Sequence, residues 1–274
     1  MEYDIIIIGA GIHGAGVAQA AAAAGYNTLI IEQYPHAGLA TSSRSSKLIH
    51  GGLRYLETAQ LGLVWECLHE RRRLLNNAPH LVKLVPFYIP VYNQTGRGPV
   101  TILMGLTLYS MLGGGGFHKI PRSQWEQLDG LKTAGLKAVF QYYDAQTDDQ
   151  TLTQAVLQSA LQLGADVELN SRFLQARIES DVCSIEFEQE GNSKMVRSKV
   201  LINATGPWIN TTLQRIEPQP RQLQIDLVQG THIQIPGTLQ HGIYYLEAPQ
   251  DQRAVLVMPW HGEILIGTTE KNYR

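Results

Sequence analysis

Cysteine, charge imbalance and long apolar runs are all scarce in this sequence. Its 274 residues include two cysteines, Cys67 and Cys183, which are far apart and fit no metal-binding spacing. We therefore expect two reduced thiols in a cytoplasmic protein, no disulfide and no metal site. The formal net charge is −2, which gives no electrostatic case for binding nucleic acid.

The sequence also lacks a segment that is long and apolar enough to span a bilayer. The nearest is Val100–Leu112, which is interrupted by two threonines and a serine. We favour a buried helix for this segment over the alternative of an interfacial, membrane-contacting helix. No signal peptide is expected, because the first strand begins at Tyr3.

The stretch from Tyr3 to Gly16 carries the strongest pattern. Four β-branched residues, Ile5–Ile8, predict a strand that is buried on both faces. The spacing G-x-G-x-x-G follows, with its glycines at 9, 11 and 14, and then an alanine-rich helix over about 13–24. Such a turn lets a pyrophosphate approach the backbone at the positive end of the helix.

A carboxylate follows at the expected distance. We predict a second strand over 27–31, ended by Glu32, which lies 18 positions after Gly14. An acid at this spacing bonds a ribose hydroxyl and disfavours the 2′-phosphate of NADP. The alternative is an ordinary glycine turn between a strand and a helix. Because the strand, the helix and Glu32 are all in place, we favour dinucleotide binding.

A second cluster of polar residues follows a small-residue loop over 36–46. The run K-L-I-H-G-G-L-R-Y spans 47–55, and its paired glycines indicate a crowded backbone. Because His50, Arg54 and Tyr55 cluster with these glycines, we favour a site over a plain flexible loop. If 50–54 forms a helical turn, His50 and Arg54 share a face.

The middle of the chain reads as helix, strand and polar connection. We predict a helix over 59–76 and interpret Arg71–Arg73 as a solvated, ion-paired face. Two prolines, Pro86 and Pro90, predict an edge or interrupted strand within 81–92. The polar segment 144–150 is expected to connect to the next helix, with Asp148 or Asp149 as its cap.

The second half of the chain is rich in strand patterns. Alternation over 173–190, a Gly-Asn turn and a strand over 196–203 predict a β-meander, which runs directly into N-A-T-G-P-W. This order is not expected of an NAD dehydrogenase, whereas in a flavoprotein such small residues let a strand end pass near FAD. Further strands over 222–267 suggest an antiparallel sheet. His232 lies in one of them, where a lone histidine is usually structural.

These motifs together resemble a known family. I-G-A-G-I-H-G-A-G, T-S-S-R-S-S-K-L-I-H-G-G-L-R-Y-L-E, N-A-T-G-P-W, Q-G-T-H-I, P-W and I-G-T-T-E occur in that order. The pattern is similar to that of FAD-dependent glycerol-3-phosphate dehydrogenases, within the D-amino-acid-oxidase-like flavoproteins. The likeness covers nearly the whole chain. Family members continue past the position of Arg274 with more substrate sheet and a glycine-rich segment over the flavin. The resemblance therefore implies weaker FAD binding by this chain than by a longer one.

The resemblance implies an α/β fold of two interleaved domains. A Rossmann-type FAD-binding domain, with a parallel sheet and a β-meander, would comprise 1–78, 143–216 and 263–274. An antiparallel-sheet substrate domain would comprise 79–142 and 217–262. The expected cofactor residues are Gly9, Gly11, Ile12, His13, Gly14, Glu32, Gln33, Thr41, Ser42, Ser46, Lys47, Leu48, His50, Gly51, Gly52, Phe173, Ala204, Thr205, Gly206 and Trp208.

The implied reaction is oxidation of sn-glycerol 3-phosphate to dihydroxyacetone phosphate, with hydride transfer to flavin N5. His50 would be the base, with His232 as the alternative, Arg54 would bind the phosphate and Tyr55 would bond the substrate. Electrons would pass to a quinone, which suggests peripheral contact with the cytoplasmic face of the inner membrane, and a homodimer is compatible with this reading. The alternatives are an oxygen-dependent amine or amino-acid oxidase of the same superfamily and a non-catalytic flavin-binding fragment.

Overall fold

The computed structural model describes residues 2–272, which divide into two compact units. The first unit contains residues 2–45 and 148–227, and the second contains 46–147 and 228–272. The chain therefore enters each unit twice. Each unit is built on one sheet.

The strands of the described residues are numbered in chain order. They are β1 (Glu2–Ile8), β2 (Thr28–Ile31), β3 (Leu48–Ile49), β4 (Val82–Tyr92), β5 (His118–Lys119), β6 (Leu136–Thr147), β7 (Asp166–Glu168), β8 (Ser171–Glu179), β9 (Val182–Gln189), β10 (Asn192–Asn203), β11 (Ile216–Glu217), β12 (Val228–Pro236), β13 (Ile243–Glu247), β14 (Ala254–Trp260) and β15 (Glu263–Asn272). The α-helices are α1 (Ile12–Ala23), α2 (Leu61–Asn77), α3 (Pro99–Tyr109), α4 (Asp149–Gln162) and α5 (Ile209–Leu213).

The first unit has a seven-stranded sheet in the order β11-β8-β9-β10-β1-β2-β7. Strands β10, β1, β2 and β7 are parallel to one another, whereas β8, β9 and β10 form an antiparallel meander. The isoleucine run of β1 lies in the middle of this sheet, and Ile6 and Ile7 are fully buried. The parallel sheet and the meander predicted from the sequence are both confirmed.

Small residues bring α1 close to the sheet and to α4. The alanines at 15, 18 and 22 are buried in one cluster with Ile7, Ile30, Leu157 and Ala160. Helix α4 begins as predicted, because the Asp148 carboxylate accepts the Thr151 N–H at 2.9 Å and so caps the first turn. This packing fixes the direction in which the N-terminus of α1 points.

The second unit has an eight-stranded sheet in the order β12-β15-β14-β13-β4-β6-β3, with β5 beside β6. Its pairs are antiparallel except for β13 and β4. The prediction of an edge or interrupted strand over 81–92 is wrong, since β4 is continuous and paired on both sides. The sheet accommodates Pro86 and Pro90 because the registered partners of β13 are Phe87 and Tyr88, between the two prolines.

The compact units divide the chain at other positions than the predicted domains. Residues 46–78 and 263–272 belong to the second unit, because β3 pairs with β6, α2 packs on β4, and β15 lies between β12 and β14. Residues 217–227 belong to the first unit and 143–147 to the second.

Helix α3 corrects the prediction for 100–112. Leu106 and Tyr109 are buried, but Val100 and Met104 are 68% and 67% exposed. The helix is thus buried on one face only and presents an apolar face outward. Across residues 2–272, no helix has the length and the apolar character needed to cross a bilayer.

Candidate functional site

The glycine loop after β1 is set by close packing in the first unit. Gly9 has φ +100°, and a Cβ there would lie 2.8 Å from the Ala204 carbonyl oxygen. A Cβ on Gly14 would lie 1.9 Å from the Gly9 oxygen. A Cβ on Gly11 would meet only the Ser42 Oγ, at 3.3 Å. Close packing therefore requires glycine at 9 and 14, whereas at Gly11 the missing side chain mainly leaves space beside the backbone.

The N-terminus of α1 is built to receive an anion. Its cap, Gly11, has no side-chain acceptor, and the first turn contains no acidic residue. The Ser42 hydroxyl accepts the Ile12 N–H at 3.0 Å. Backbone N–H groups and the positive end of the helix dipole favour a phosphate at such a position.

The Glu32 carboxylate links the end of β2 to the glycine loop. Its Oε2 accepts the Ala10 N–H at 2.7 Å, and its Oε1 accepts the Tyr34 N–H at 3.0 Å. Glu32 is buried, yet it lines the cavity described below. Because each carboxylate oxygen has two lone pairs, acceptor capacity remains for a ribose hydroxyl.

The turn after β10 is fixed by its own hydrogen bonds. The Asn203 Oδ1 accepts the Thr205 hydroxyl at 2.7 Å, and the Asn203 amide donates to the Ile209 oxygen at 3.0 Å. Gly206 has φ +57°, in the left-handed region. These contacts hold Ala204 against Gly9, so the small residues at the end of this strand pack on the glycine loop.

A cavity of about 550 Å³ opens among these elements of the first unit. Thirteen of the residues predicted to hold the cofactor line it: Gly9, Gly11, Ile12, His13, Glu32, Gln33, Thr41, Ser42, Phe173, Ala204, Thr205, Gly206 and Trp208. Gly14 packs under the loop instead. The predicted residues at 46–52 belong to the second unit and are described with it.

The cavity also contains residues that the sequence reasoning missed. Its lining includes two arginines, Arg172 and Arg215, and the Arg215 guanidinium donates to the Phe173 oxygen at 3.2 Å. Both arginines are cations that suit a phosphate-containing ligand. No local pattern marked either arginine. Arg172 is the second residue of β8, and Arg215 reaches the cavity because β11 pairs with β8.

In the second unit, the turn from Leu48 to Leu56 holds three of the predicted catalytic residues, His50, Arg54 and Tyr55. A short 3₁₀ turn starts at Leu53 and His50 precedes it, so the condition of a helical turn over 50–54 is not met. Gly52 adopts φ +68°, and its N–H donates to the His50 Nδ1 at 2.9 Å. Arg54 and Tyr55 are exposed.

The two glycines are crowded by protein side chains. A Cβ on Gly51 would lie 2.5 Å from both the Leu68 Cδ2 and the Tyr109 Oη, and a Cβ on Gly52 would lie 2.3 Å from the Tyr55 ring. The Gly51 N–H donates to the Tyr109 hydroxyl at 2.8 Å. The predicted crowding is therefore present, and at these contacts its source is α2, α3 and the turn itself.

Behind this turn lies a buried ion pair. The Arg71 guanidinium donates to the Asp144 Oδ1 at 2.5 Å and to the carbonyls of Gly113 and Gly114. The prediction that Arg71 lies on a solvated face is wrong, because the inward face of α2 consists of Val64, Leu68 and Arg71. Asp144 is likewise not in a polar connection but inside β6. On the same helix as Arg71, Arg73 pairs with Glu70 at the surface, as predicted.

These charges act on the titration of nearby groups. Desolvation lowers the pKa of His50 although the residue is exposed in part, while Asp144 opposes the shift and Arg54 and Arg71 add to it. Burial raises the pKa of Asp144, and Arg71 and the Tyr109 hydroxyl oppose that rise. A lowered pKa keeps the His50 imidazole neutral near pH 7.

Arg54 lies in a group of charged and aromatic side chains. The hydrogen bond from Arg97 lowers the pKa of Glu57, and the charge of Arg54 adds to that shift. Burial raises the pKa of Tyr245, and the charges of Arg97 and Arg54 oppose that rise. Arg97 forms a two-point ion pair with Glu57 and also reaches Glu247. The carboxylates of this group are thus engaged by Arg97, and Arg54 adds positive charge beside them.

His232 lies at an irregularity of β12. The register against β15 shifts between Thr231 and Ile233, and such bulges re-aim a side chain. The His232 Nε2 is 3.0 Å from the Ser46 Oγ, and a Cβ on Gly267 would lie 2.4 Å from its ring. The fold thus brings two distant predicted residues, Ser46 and His232, into contact.

Lys47 and Leu48 have structural positions beside this pair. Lys47 is buried with φ +61°, and its Nζ lies 5.4 Å from the centroid of the Trp260 ring, a cation–π distance. Leu48 pairs with Gln146 in the sheet. The two cysteines are free thiols, as predicted, with Cys183 buried and Cys67 partly buried.

The sequence matches the family described as FAD dependent oxidoreductase over residues 4–274. Glycerol-3-phosphate dehydrogenase from Pseudomonas aeruginosa is 36% identical over 99% of this chain and 53% of its own length. D-erythritol 1-phosphate dehydrogenase from Brucella abortus is 33% identical over 98% of this chain and 55% of its own length. The chain therefore spans about half the length of these curated relatives.

A solved structure shares the fold. The glycerol-3-phosphate dehydrogenase from Bacillus halodurans, complexed with FAD, superposes with a TM-score of 0.76 at 23% identity. The match covers 100% of this chain and 48% of that chain. The likeness in fold thus extends over both units.

Proposed function

This chain belongs to the family of FAD-dependent oxidoreductases, and we propose that it oxidises sn-glycerol 3-phosphate to dihydroxyacetone phosphate. The observation that carries the proposal is the turn over 50–55, which joins a histidine, a guanidinium and a phenol in six residues. Similarity to a glycerol-3-phosphate dehydrogenase over 99% of the chain supports it. The family's cofactor is FAD, so the roles of the two units can be proposed from their residues.

The first unit fits FAD. Its glycine loop admits a pyrophosphate at Gly11 and the start of α1, and Glu32 retains acceptor capacity for the adenine ribose. A carboxylate at that position argues against a 2′-phosphate. We therefore propose that this unit is the cofactor domain and that Arg215 adds a cation for the phosphates. When bound, FAD supplies the group that accepts a hydride from carbon, at flavin N5.

The second unit is then the substrate domain, and Arg54 is its proposed phosphate ligand. A guanidinium binds a phosphate through two parallel hydrogen bonds, which positions it as well as attracting it. Arg54 is exposed on the turn, next to the exposed phenol of Tyr55. Tyr55 can donate a hydrogen bond to the same substrate.

We propose His232 as the base that takes the proton of the C2 hydroxyl. In the reaction, the O–H proton leaves to the base, the C2–H bond gives up its electron pair and a carbonyl forms. The His50 Nδ1 already accepts the Gly52 N–H, so a neutral His50 carries its proton on Nε2 and is a donor there. The His232 Nε2 lies 3.0 Å from the Ser46 Oγ, and a serine hydroxyl can donate to a basic nitrogen as well as accept from a protonated one.

A spectrum tests this function directly. The chain is loaded with FAD and mixed without oxygen with glycerol 3-phosphate, D-erythritol 1-phosphate or D-amino acids. Bleaching of the oxidised-flavin band by glycerol 3-phosphate alone is expected. Bleaching by amino acids would favour the amine or amino-acid oxidase alternative. Bound flavin that no substrate bleaches would identify a non-catalytic flavin-binding fragment.

The electron acceptor is proposed to be a quinone, reached at a membrane surface. The outward face of α3 supports this, because Val100, Leu103 and Met104 are exposed, as is Met111 just after the helix. Such a position would place the protein on the cytoplasmic face of the inner membrane. Reoxidation of the reduced enzyme by quinone analogues faster than by oxygen is the expected kinetic result.

Flotation with anionic liposomes tests the membrane contact. Met104→Asp should reduce co-flotation, whereas Met195→Asp, at a similarly exposed methionine of the first unit, should not. If the α3 face instead joins two copies, Met104→Asp would change the sedimentation coefficient and leave flotation unchanged. That outcome would replace the membrane proposal with a homodimer.

A further inference from the structure

A directed chain of hydrogen bonds runs from the buried ion pair to the proposed active-site turn. Arg71 donates to one oxygen of Asp144, and the Tyr109 hydroxyl donates to the other at 2.7 Å. The Gly51 N–H then donates to the same Tyr109 oxygen at 2.8 Å. Tyr109 and Asp144 are each 1% exposed, so water does not replace these partners.

Each hydrogen bond in this series can have only one donor and one acceptor. A backbone N–H and a guanidinium can only donate, and a carboxylate can only accept. The Tyr109 oxygen must therefore accept from Gly51, and its proton must go to Asp144. Arg71 supplies the charge that balances the buried Asp144 carboxylate. The hydroxyl of Tyr109 is consequently held in one orientation.

The contact leaves the turn little freedom. Gly51 is wedged against Tyr109 and Leu68, where not even a Cβ would fit. The next N–H, from Gly52, is the donor to the His50 Nδ1. The Gly51 and Gly52 N–H groups belong to consecutive peptide units. A contact that fixes the Gly51 N–H therefore also fixes the Gly52 N–H, which donates to the His50 Nδ1.

We propose that Tyr109, held by Asp144 and Arg71, is a positioning residue that keeps His50 as the Nε2–H tautomer. His50 then presents a hydrogen-bond donor, not a base, from its Nε2. None of these three residues was among the predicted site residues. The catalytic consequence depends on the proposed function, whereas the tautomer can be measured without it.

The test is two-bond ¹H–¹⁵N correlation spectroscopy of the chain labelled with ¹⁵N-histidine. His50→Gln identifies the His50 signals. In the unaltered protein at neutral pH, we expect one pattern for His50, that of the Nε2–H form. In Tyr109→Phe, the Gly51 N–H loses its acceptor, so the pattern should become a mixture of tautomers. An Nδ1–H form in the unaltered protein would overturn the proposal.

Tyr244→Phe is the matched control. Tyr244 is also a buried tyrosine of the second unit whose hydroxyl donates to an aspartate, Asp129, at 2.9 Å. This change should leave the His50 pattern as it is. If Tyr109→Phe does not fold, Arg71→Lys is the second variant. It keeps the buried charge but loses hydrogen bonds of the guanidinium, such as those to the carbonyls of Gly113 and Gly114. It should give a smaller change of the His50 signals towards a mixture of tautomers. A His50 pattern that neither folded variant alters would refute the positioning role.

A kinetic readout separates this inference from the proposed function. If glycerol 3-phosphate bleaches the flavin, Tyr109→Phe should lower kcat by about tenfold and change KM by less than twofold. Equal changes in Tyr244→Phe would mean a general structural effect and contradict the inference. If no polyol phosphate bleaches the flavin, the proposed function fails while the tautomer measurement still decides the positioning role.

Discussion

Removal of the Glu32 carboxylate should weaken FAD binding and also destabilise the protein without cofactor. In the structure this carboxylate accepts the N–H groups of Ala10 and Tyr34. It also lines the cavity proposed for FAD. Glu32 therefore has a structural role and a ligand-binding role, and two substitutions can separate them.

The magnitudes follow from burial. Ala10 is fully buried, so its N–H stays unpaired in Glu32→Ala and costs about 1–3 kcal/mol of folding free energy. Tyr34 is only partly buried, so its N–H can donate to water in place of the Glu32 carboxylate. Loss of a charge-assisted bond to the ribose costs FAD about another 1–3 kcal/mol. That corresponds to a roughly 5- to 150-fold rise in Kd.

Glu32→Gln should divide these effects. Its amide oxygen can still accept the Ala10 N–H, whereas its NH₂ group cannot accept a second donor. Stability without FAD should thus fall less than in Glu32→Ala, while the affinity still drops. Urea unfolding of the apoprotein and FAD titration by fluorescence quenching give the two quantities.

Glu168→Ala is the control for this pair. Glu168 lies on the neighbouring strand β7, its side chain accepts from Gln189 at 2.6 Å, and it does not line the cavity. It should leave the Kd for FAD unchanged. The reasoning about Glu32 would be refuted by an unchanged Kd in both Glu32 variants, or by nicotinamide nucleotide instead of flavin in the denatured supernatant.

Three further changes test other parts of the structure. Arg54→Ala should lower kcat/KM for glycerol 3-phosphate on the order of 10²–10³-fold, with partial recovery in Arg54→Lys. An equal loss with plain glycerol as substrate would contradict phosphate binding. Asp148→Ala should cost about 1 kcal/mol, because the Thr151 N–H loses its cap, and an unchanged melting temperature would argue against that. Burial and the bond to Asp166 raise the pKa of Tyr3 to about 12. Stability from this group is thus present below pH ~10 and lost as the pH rises towards 12, and Tyr3→Phe should flatten that part of the curve in alkaline unfolding.

Local patterns were sufficient to predict the fold around the proposed cofactor site. The strand of isoleucines, the glycine spacing and Glu32 lie within 30 positions of one another, and the packing of each is decided by its neighbours in sequence. The same holds for the Asp148 cap and the meander, whose turns are short. Arg215 could not be predicted in this way, since its place in the cavity depends on the pairing of β8 with β11.

The errors come from contacts between segments far apart in the chain. Pro86 and Pro90 gave a correct local reason for an edge strand, but β13 pairs only between them and so tolerates both. The outward face of α3 consists of apolar residues of the kind usually found in a protein core, although they are exposed. Composition alone gives no information on which face of such a helix the fold covers.

Arg71 shows most clearly why a local rule fails. Three consecutive arginines beside two glutamates favour a solvated helix face, because an unpaired buried charge is costly. Asp144, 73 positions later on β6, and the carbonyls of Gly113 and Gly114 offset that cost by accepting hydrogen bonds from the Arg71 guanidinium. Because Arg71 is buried, the inward face of α2 includes a charged residue. Arg71 donates to the Asp144 carboxylate, which in turn accepts the Tyr109 hydroxyl. The glycine pair at 51–52 was thus a correct sign of crowding. At Gly52 the cause is the nearby Tyr55, but at Gly51 it lies in Leu68 and Tyr109, which no pattern near it contained.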